Sequence, residues 1–562
     1  AHEIAPGAAE RDRDGIWFAE GWRKMGELGL LGLQFPEEFG GSGASIVTTA
    51  AAFQAFTAGG ADAGIALSWV AHSVLAGTPI WLFGTPDQKR RYLSGIARGA
   101  SVAGYGLTEP SAGSDAASLQ TTARRVGDRW ILNGSKMFIT NAPIGDVFVV
   151  FASHDLSLRS RGITAFIVER GFPGFSSGKE LDKMGNRTSP TGELVLSDCE
   201  VPLENILGKP GQGFVIAKTA LEWERFLMMA HSVGTMQAVI ADCLRYSRER
   251  EQFGQPISAQ PAIQVKLAEM QLQASVGELF VRRVAWLKDE GRSTPLESST
   301  CKIFCSEAVM RTASEGVQIH GGYGYMRESA VERAMRDARL AAIGGGTTEI
   351  QRQVVGRQVL AGEPAQGLSQ GQPPSILEGG EDLRQVVAGV MSSGREGLAL
   401  ARQAMAVQTE RWSGRFGWED SNRLFAAAIA TGIAEAALAR AVQAVRARPG
   451  GQLIEQRLAD VRTRADGAWL ATSRAAWAMD SGKDGSQRAI EARIFAVEAA
   501  LFCTDAAFFI TGDPSNDGLL ELATEARKLA LQDGSLDDER LGLARLMLQP
   551  AGAGVVLGAR SA

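Results

Sequence analysis

The hydrophobic positions of this chain change period twice, and the changes divide it. From about Ile16 to Gly99, apolar residues recur every three to four positions (Trp22, Met25, Leu28, Leu31), a spacing that predicts helices broken at Pro36 and at the loop Gly40-Gly41-Ser42-Gly43. From Ser101 to about Leu207 the pattern shortens to β-rich runs separated by turn residues. These are Val147-Phe148-Val149-Val150-Phe151, Ile163-Thr164-Ala165-Phe166-Ile167-Val168 and Glu193-Leu194-Val195-Leu196, with Asn133-Gly134 read as a hairpin turn. Long amphipathic patterns return from Gly211 to about Leu360 and predict a helical bundle. A linker rich in Gly, Gln, Ser and Pro runs from Gly362 to Ser375, and an Ala-rich helical region follows to about Pro550. The expected architecture is mainly α with a central β domain. Its parts are an N-terminal helical domain 1–100, a middle β domain 101–207, a helical bundle 208–362, a linker 363–375 and a final helical region 376–562.

That final region repeats an earlier one. A gapless shift of 191 positions over Gln264 to Gly321 sets Leu267 on Leu458, Arg283 on Arg474, Trp286 on Trp477, Ile303-Phe304 on Ile494-Phe495, Glu307 on Glu498 and Gly321 on Gly512. A shift of 198 sets Arg225 on Arg423 and Gly234 on Gly432. Glu224 then falls on Asn422, His320-Gly321-Gly322 becomes Thr511-Gly512-Asp513, and the loop Arg250 to Gly254 is largely missing from the copy. The second bundle keeps the core pattern and drops the polar loops.

Composition narrows the class. With 562 residues, 45% hydrophobic and 22% charged, the chain has material for roughly three to five domain-sized units. A net charge of -5 and a pI near 5.8 supply no general attraction to nucleic acid or anionic membranes, so an anionic ligand needs a local site. The five cysteines (Cys199, Cys243, Cys301, Cys305, Cys503) form no CxxC pair, which points to a reducing compartment and to no metal site. No run of eighteen uncharged apolar residues occurs, so no membrane-spanning helix is expected. The chain starts at Ala1 in what reads as the middle of a helix, without Met or a signal-type segment, and residues upstream are expected.

Five segments carry chemistry. Tyr105-Gly106-Leu107-Thr108-Glu109-Pro110-Ser111-Ala112-Gly113-Ser114-Asp115 is rich in small residues, which let backbone approach a planar ring closely. Gly134-Ser135-Lys136-Met137-Phe138-Ile139-Thr140-Asn141 offers an aromatic beside hydroxyls. Arg250-Glu251-Gln252-Phe253-Gly254 has a guanidinium, whose parallel donors suit phosphate oxygens. Gln318-Ile319-His320-Gly321-Gly322-Tyr323-Gly324 has adjacent glycines whose N–H groups suit a diphosphate, with His320 read as a hydrogen-bonding residue rather than a base. The fifth is Arg336-Asp337-Ala338-Arg339-Leu340-Ala341-Ala342-Ile343-Gly344-Gly345-Gly346-Thr347-Thr348-Glu349-Ile350-Gln351-Arg352.

In this order, over about Ile4 to Gly362 and with the run Lys183 to Thr191, these segments resemble the acyl-CoA dehydrogenase family. The resemblance implies that family's fold, with a β-barrel-like middle domain and here a degenerate second bundle. It implies FAD as cofactor, held by Tyr105, Leu107, Thr108, Gly113, Ser114, Phe138, Ile139, Thr140, Arg250, Gln252, Phe253, Gln318, Gly321, Gly322, Thr347 and Glu349. Phe138 stands where the family often has Trp. Many members carry the catalytic glutamate where this chain has Gly345. Isovaleryl- and long-chain acyl-CoA dehydrogenases instead have a small residue there and a glutamate in an L-x-x-E-R context, which Leu221-Glu222-Trp223-Glu224-Arg225 resembles. Glu224 is thus the expected base for α-proton removal, with hydride passing from Cβ to flavin N5 as acyl-CoA becomes trans-2-enoyl-CoA. Ser114, Glu222, Arg225, Gly345 and Gly346 are the implied substrate contacts, Glu222 standing where the family commonly has an Asp on pantetheine.

Two other readings stay open: an acyl-carrier-protein thioester as substrate, and a catalytically silent flavin-bearing assembly protein. The resemblance further implies an electron-transfer flavoprotein or similar acceptor, and a cytoplasmic setting, or the mitochondrial matrix in a eukaryote. The C-terminal bundle resembles that of the very-long-chain group, which implies a homodimer.

Overall fold

The computed structural model describes residues 3–60, 62–362, 418–448, 450–481, 485–513, 515–532 and 534–549. The expected linker 363–375 and the stretch 376–417 lie outside the described residues. The chain packs as two units: Ala1–Val239 with Val281–Val317 and Gly322–Ile350, and Ile240–Phe280 with Gln318–Gly321 and Gln351–Ala562.

In the first unit, residues 3–7 form turns where the pattern predicts a helix, and the first helix is Ala8–Asp14. Trp22, Met25 and Leu31 enter the core as their spacing predicts, but Leu28 is 75% exposed. Helix Ala19–Glu27 stops just before it, and Gly29 at φ +72° turns the chain, so the helical phase is lost there. A continuous helical run, Ala63–Phe83, contains the π-helical stretch Val70–Gly77. On that stretch His72 accepts the Ala103 N–H at Nδ1 (2.9 Å), and its Nε2 donates to the Ile96 carbonyl (2.8 Å). Burial pushes this imidazole down to about 4, so it is a neutral pin between the helices and the first strand.

The β domain is one eight-stranded sheet. Its order is Phe175–Glu180, Thr191–Pro202, Arg129–Thr140, Thr122–Val126, Val147–Ser153, Ile163–Glu169 and Ile206–Leu207, with Ala103–Gly106 pairing parallel to Val147–Val150. Strand Val147–Ser153 is buried along its whole length. Val147, Val149 and Phe151 join one core cluster while Phe148, Val150 and Ala152 join the other, which is why this run is apolar without alternation. Asn133-Gly134 is not the hairpin turn. The turn is Gly127-Asp128, where Val126 pairs with Arg129 and Gly127 has φ +58°. Asn133 and Gly134 lie inside strand Arg129–Thr140 at a register shift. There Asn133 exchanges hydrogen bonds with Asp198 (2.8 and 3.0 Å), and a Cβ on Gly134 would meet Thr121 Oγ1 at 2.5 Å.

Three long helices follow: Gly213–Glu249, Pro261–Asp289 and Pro295–His320. In the second unit lie Trp418–Ala447, Gln452–Asp480 and Ser486–Thr511, then Asp517–Leu531 and Leu536–Leu548. The shift of 191 carries Pro261 to Gln452, Asp289 to Asp480, Pro295 to Ser486 and His320 to Thr511, so two helix pairs start and stop in the same register. Gly321 and Gly512, directly after the third helix of each set, share a left-handed φ of +59° and +63°. Within the second unit Phe280, Leu458, Ile494 and Phe495 are buried, each worth about 1.5–3 kcal/mol of apolar transfer.

Among the described residues, four helices are long and apolar enough to cross a membrane by length and composition: Ala63–Phe83, Gly213–Glu249, Glu419–Ala447 and Ser486–Thr511. Between 56 and 78% of their most apolar windows is buried inside the protein, so that apolarity goes into packing.

Candidate active site

Ala217, Ala220, Glu224 and Leu227 follow one another at helical spacing along the buried side of Gly213–Glu249. The apolar face thus carries one carboxylate. Glu224 is 4% exposed, and its Oε2 has no hydrogen-bond partner among the described residues. Burial pushes its carboxyl above the usual carboxylate range, while the charges of Lys302 and Arg225 pull the other way.

Gly345, at φ +65°, lies beside it. A Cβ added there would stand 2.5 Å from Glu224 Oε2 and 2.9 Å from its Cδ. The Glu224 carboxyl therefore fills the space into which any side chain at Gly345 would project.

Arg225 donates through Nε to the Gly345 carbonyl (3.3 Å) and through Nη1 to Ser299 Oγ (3.4 Å). Lys302 donates to the Gly346 carbonyl. Tyr105 packs its ring into the core against Phe151, and its hydroxyl reaches the Ala217 carbonyl at 3.4 Å. Burial first, then the nearby Glu224 charge, keeps that phenol protonated. Glu222 turns to the protein itself. Its Oε1 accepts from Lys288, from the Thr294 N–H (2.7 Å) and from Thr294 Oγ1 (2.9 Å), which pins the start of helix Pro295–His320.

The first small-residue segment and the strand Arg129–Thr140 meet where Met137 N–H donates to the Thr108 carbonyl (2.9 Å). A buried Lys136–Glu109 ion pair at 2.6 Å, with Glu109 also accepting Thr121 N–H, holds the segment's other side. Phe138 sits at the irregularity between Lys136 and Ile139 with φ +62° and is 66% exposed, so the bulge turns its ring out of the sheet. Ile139 and Thr140 pair with Gly192 and Thr191, Leu107 is buried, and Gly113 and Ser114 are exposed. Thr347 Oγ1 caps helix Thr348–Ala361 by accepting the Ile350 N–H at 3.3 Å, and Glu349 is exposed on its first turn.

Arg250, Gln252 and Phe253 belong to the second unit, around a two-stranded hairpin whose tip carries Phe253 at φ +54° and 95% exposure. Gln318 and Gly321 belong to that unit as well, and Gly322 to the first. The site residues that come together are thus Glu224, Arg225, Gly345 and Gly346, with Tyr105 on the adjoining strand.

The sequence matches the acyl-CoA dehydrogenase N-terminal domain over residues 1–100, the middle domain over 104–199 and the C-terminal domain over 211–360 and 420–547. A probable acyl-CoA dehydrogenase of Bacillus subtilis, YngJ, is 43% identical over 359 residues, 64% of this chain and 94% of that protein. The chain belongs to the acyl-CoA dehydrogenase family. The crystal structure of an acyl-CoA dehydrogenase complexed with FAD from Bacillus anthracis superposes with a TM-score of 0.75 at 31% identity, covering 94% of this chain and 88% of that one. A prolyl acyl carrier protein oxidase, AnaB, superposes with a TM-score of 0.62 at 37% identity, over 64% of this chain and 97% of that one.

This dehydrogenase is an FAD-dependent oxidoreductase, and its acyl-CoA dehydrogenation uses the flavin. Its own surface fits that group. Gly113, where a Cβ would meet nothing within 4 Å among the described residues, and the outward Phe138 ring are open on the segment that Met137 anchors, as close approach of a flat ring requires. Sequence reading of the dehydrogenase missed Lys302 and Ser299. Lys302 had a signal: it is a lone cation in the run Cys301-Lys302-Ile303-Phe304-Cys305, and the shift of 191 sets it on another cation, Arg493.

Proposed function

We propose that Glu224 removes the α-proton of an acyl-CoA thioester, forming the trans-2-enoyl thioester. The observation that carries this reading is the seat of the Glu224 carboxyl, 2.5 Å from where a side chain at Gly345 would begin. When bound, FAD supplies the hydride acceptor for the substrate Cβ at its N5. The chain's own residues do the proton chemistry. The Gly345 N–H donates to the thioester carbonyl and stabilises the negative charge that builds there as the α-proton leaves, which lowers the barrier. Glu224 keeps one oxygen without a hydrogen-bond partner among the described residues and takes the proton on it. Its burial brings its pKa toward the working range of a general base. Arg225 fixes the Gly345 peptide through its carbonyl.

FAD is held in this reading by Tyr105, Leu107, Thr108, Gly113 and Ser114, by Phe138, Ile139 and Thr140, and by Thr347 and Glu349. Arg250, Gln252 and Phe253 suit a cofactor diphosphate, and Gln318, Gly321 and Gly322 contribute to the FAD of a neighbouring subunit. Electrons leave to an electron-transfer flavoprotein or similar acceptor. The protein works as a homodimer in the cytoplasm, or in the mitochondrial matrix of a eukaryote, where its five buried, unbridged cysteines stay thiols. The likeness to the AnaB oxidase favours a second reading, an acyl-carrier-protein thioester as substrate.

The test is anaerobic mixing of the FAD-loaded protein with straight-chain, branched and carrier-bound thioesters while flavin absorbance is followed. Bleaching by CoA esters is the expected result. Bleaching by carrier-bound esters alone selects the second reading, and no bleaching by any thioester leaves a flavin-bearing assembly protein.

A further inference from the structure

Lys302 lies in helix Pro295–His320 with its side chain fully buried. A buried ammonium is costly unless it has both a hydrogen-bond acceptor and a counter-charge. Its acceptor is the Gly346 carbonyl. The carboxylates whose charges act on it are Glu224 first and Glu349 after. Arg225, from another helix, holds the preceding carbonyl, that of Gly345. Gly345 and Gly346 have φ of +65° and +90°, and two glycines have little conformational preference of their own. These two cations hold both carbonyls of the loop, in which Gly345 lies against the Glu224 carboxyl.

The C-terminal copy supports the assignment independently. Arg493, at the position of Lys302 under the shift of 191, also donates to loop carbonyls, those of Gln532 and Gly534, just before helix Leu536–Leu548. There the cation meets a carboxylate, Glu539, at 2.5 Å.

We propose that Lys302 is a positioning residue for the base: its ammonium pins the Gly346 carbonyl so that the glycine loop abuts Glu224, and its charge keeps the Glu224 carboxylate ready to take a proton. The inference rests on Glu224 being the base. The groups facing Glu224 are Arg225 on its own helix, Lys302 from helix Pro295–His320 and the phenol of Tyr105 from strand Ala103–Gly106. Removing the Lys302 cation leaves burial opposed by Arg225 alone, so Glu224 holds its proton to higher pH. A base works only without its proton, so the acidic limb of the rate profile moves up, by about 1 unit or more for a close buried charge. Burial pulls Lys302 itself down to about 8, so above that pH the wild-type and Lys302→Gln profiles converge.

The experiment compares FAD-loaded full-length wild type, Lys302→Met, Lys302→Gln, Lys302→Arg and Glu224→Gln. Flavin reduction is followed anaerobically from about pH 5.5 to 9 with whichever of butyryl-, isovaleryl- or palmitoyl-CoA reduces the wild type fastest. In parallel, infrared difference titration follows the protonated Glu224 carboxyl band, identified by its loss in Glu224→Gln, and does not depend on turnover. Lys302→Gln, which keeps a donor for Gly346, is expected to shift the limb and the infrared midpoint upward with the plateau rate retained. Lys302→Met shifts both and lowers the plateau, and Lys302→Arg restores the limb, as the arginine of the copy indicates. Midpoints that stay at the wild-type value in Lys302→Gln overturn the inference, even where Lys302→Met fails to fold. If Glu224→Gln reduces flavin at the wild-type rate, the base assignment falls instead, while the infrared midpoint still reports whether Lys302 and Glu224 are coupled.

Discussion

Where the first bundle carries Glu224 its copy carries Asn422, and at the next position both carry an arginine. Arg225 donates to a backbone carbonyl and a serine, whereas Arg423 is ion-paired with Asp420 at 2.7 Å and Glu539 at 3.0 Å. Lys302 donates to the Gly346 carbonyl, whereas Arg493 is paired with Glu539. Both oxygens of Glu539 are bonded, and one oxygen of Glu224 has no hydrogen-bond partner among the described residues. Glu539 holds the copy together with both oxygens engaged. Glu224, the base in the proposed reaction, keeps one oxygen open at the cost of burying it.

The sharpest way to break this comparison is to neutralise each side in turn. Glu224→Gln keeps shape and burial but cannot accept the α-proton, so flavin reduction by acyl-CoA is expected to fall roughly 10²–10⁴-fold with FAD retained. Asn422→Asp, the matching change in the copy, leaves the reduction rate as it was. A Glu224→Gln protein reduced at the wild-type rate would refute the base assignment.

Gly345→Ala comes next. Its Cβ would sit 2.5 Å from Glu224 Oε2 at a left-handed φ, so the carboxyl, the movable partner, swings away. A displacement near 1 Å at a reacting group costs on the order of 10²-fold in rate, while the backbone strain costs only about 1–2 kcal/mol. Stopped-flow reduction beside thermal unfolding separates the two; equal losses in both would mean that Gly345 serves only the fold.

Much of this contrast was legible before any coordinates. The gapless repeat gave the helix registers, and the pairing of a glycine at 345 with a glutamate at 224 pointed to one site because either residue alone is ordinary. What stayed hidden depended on the third dimension. Asn133-Gly134 carries the same dipeptide signal as a hairpin turn, yet Gly134 is needed because Thr121 crosses there, and the chain turns at Gly127-Asp128 instead. Leu28 fits the helical spacing of its neighbours but lies just past the helix end. Lys302 escaped because a lysine in a helix is normally solvated, and nothing local says that it faces a glycine loop from 44 residues away.

Glu539→Gln probes the copy's half of the comparison. It leaves the buried Arg493 and the partly buried Arg423 with one carboxylate fewer, and breaking a buried pair costs about 3–5 kcal/mol. Amide exchange should quicken in helices Ser486–Thr511 and Leu536–Leu548, with the rate of flavin reduction unchanged. A fall in that rate matching the loss of protection would show that the copy also serves catalysis.

The smallest effects come from the glycines that close the third helix of each bundle. Gly321 and Gly512 have nearly the same φ, and a Cβ on either would meet nothing within 4 Å among the described residues. Alanine at each should therefore cost the same small amount, about 1–2 kcal/mol for the left-handed backbone, with no steric term to tell them apart. The difference lies in what each turn offers. Gly321 stands in a Gly-Gly pair whose N–H groups are assigned here to the FAD diphosphate, whereas in the copy the following residue is Asp513, whose charge repels an anion. Gly321→Ala should thus lower flavin content after dialysis and Gly512→Ala should not, although calorimetry finds the two equally destabilised. If Gly321→Ala holds FAD as tightly as wild type, that turn is a helix cap in both bundles and the diphosphate is bound elsewhere.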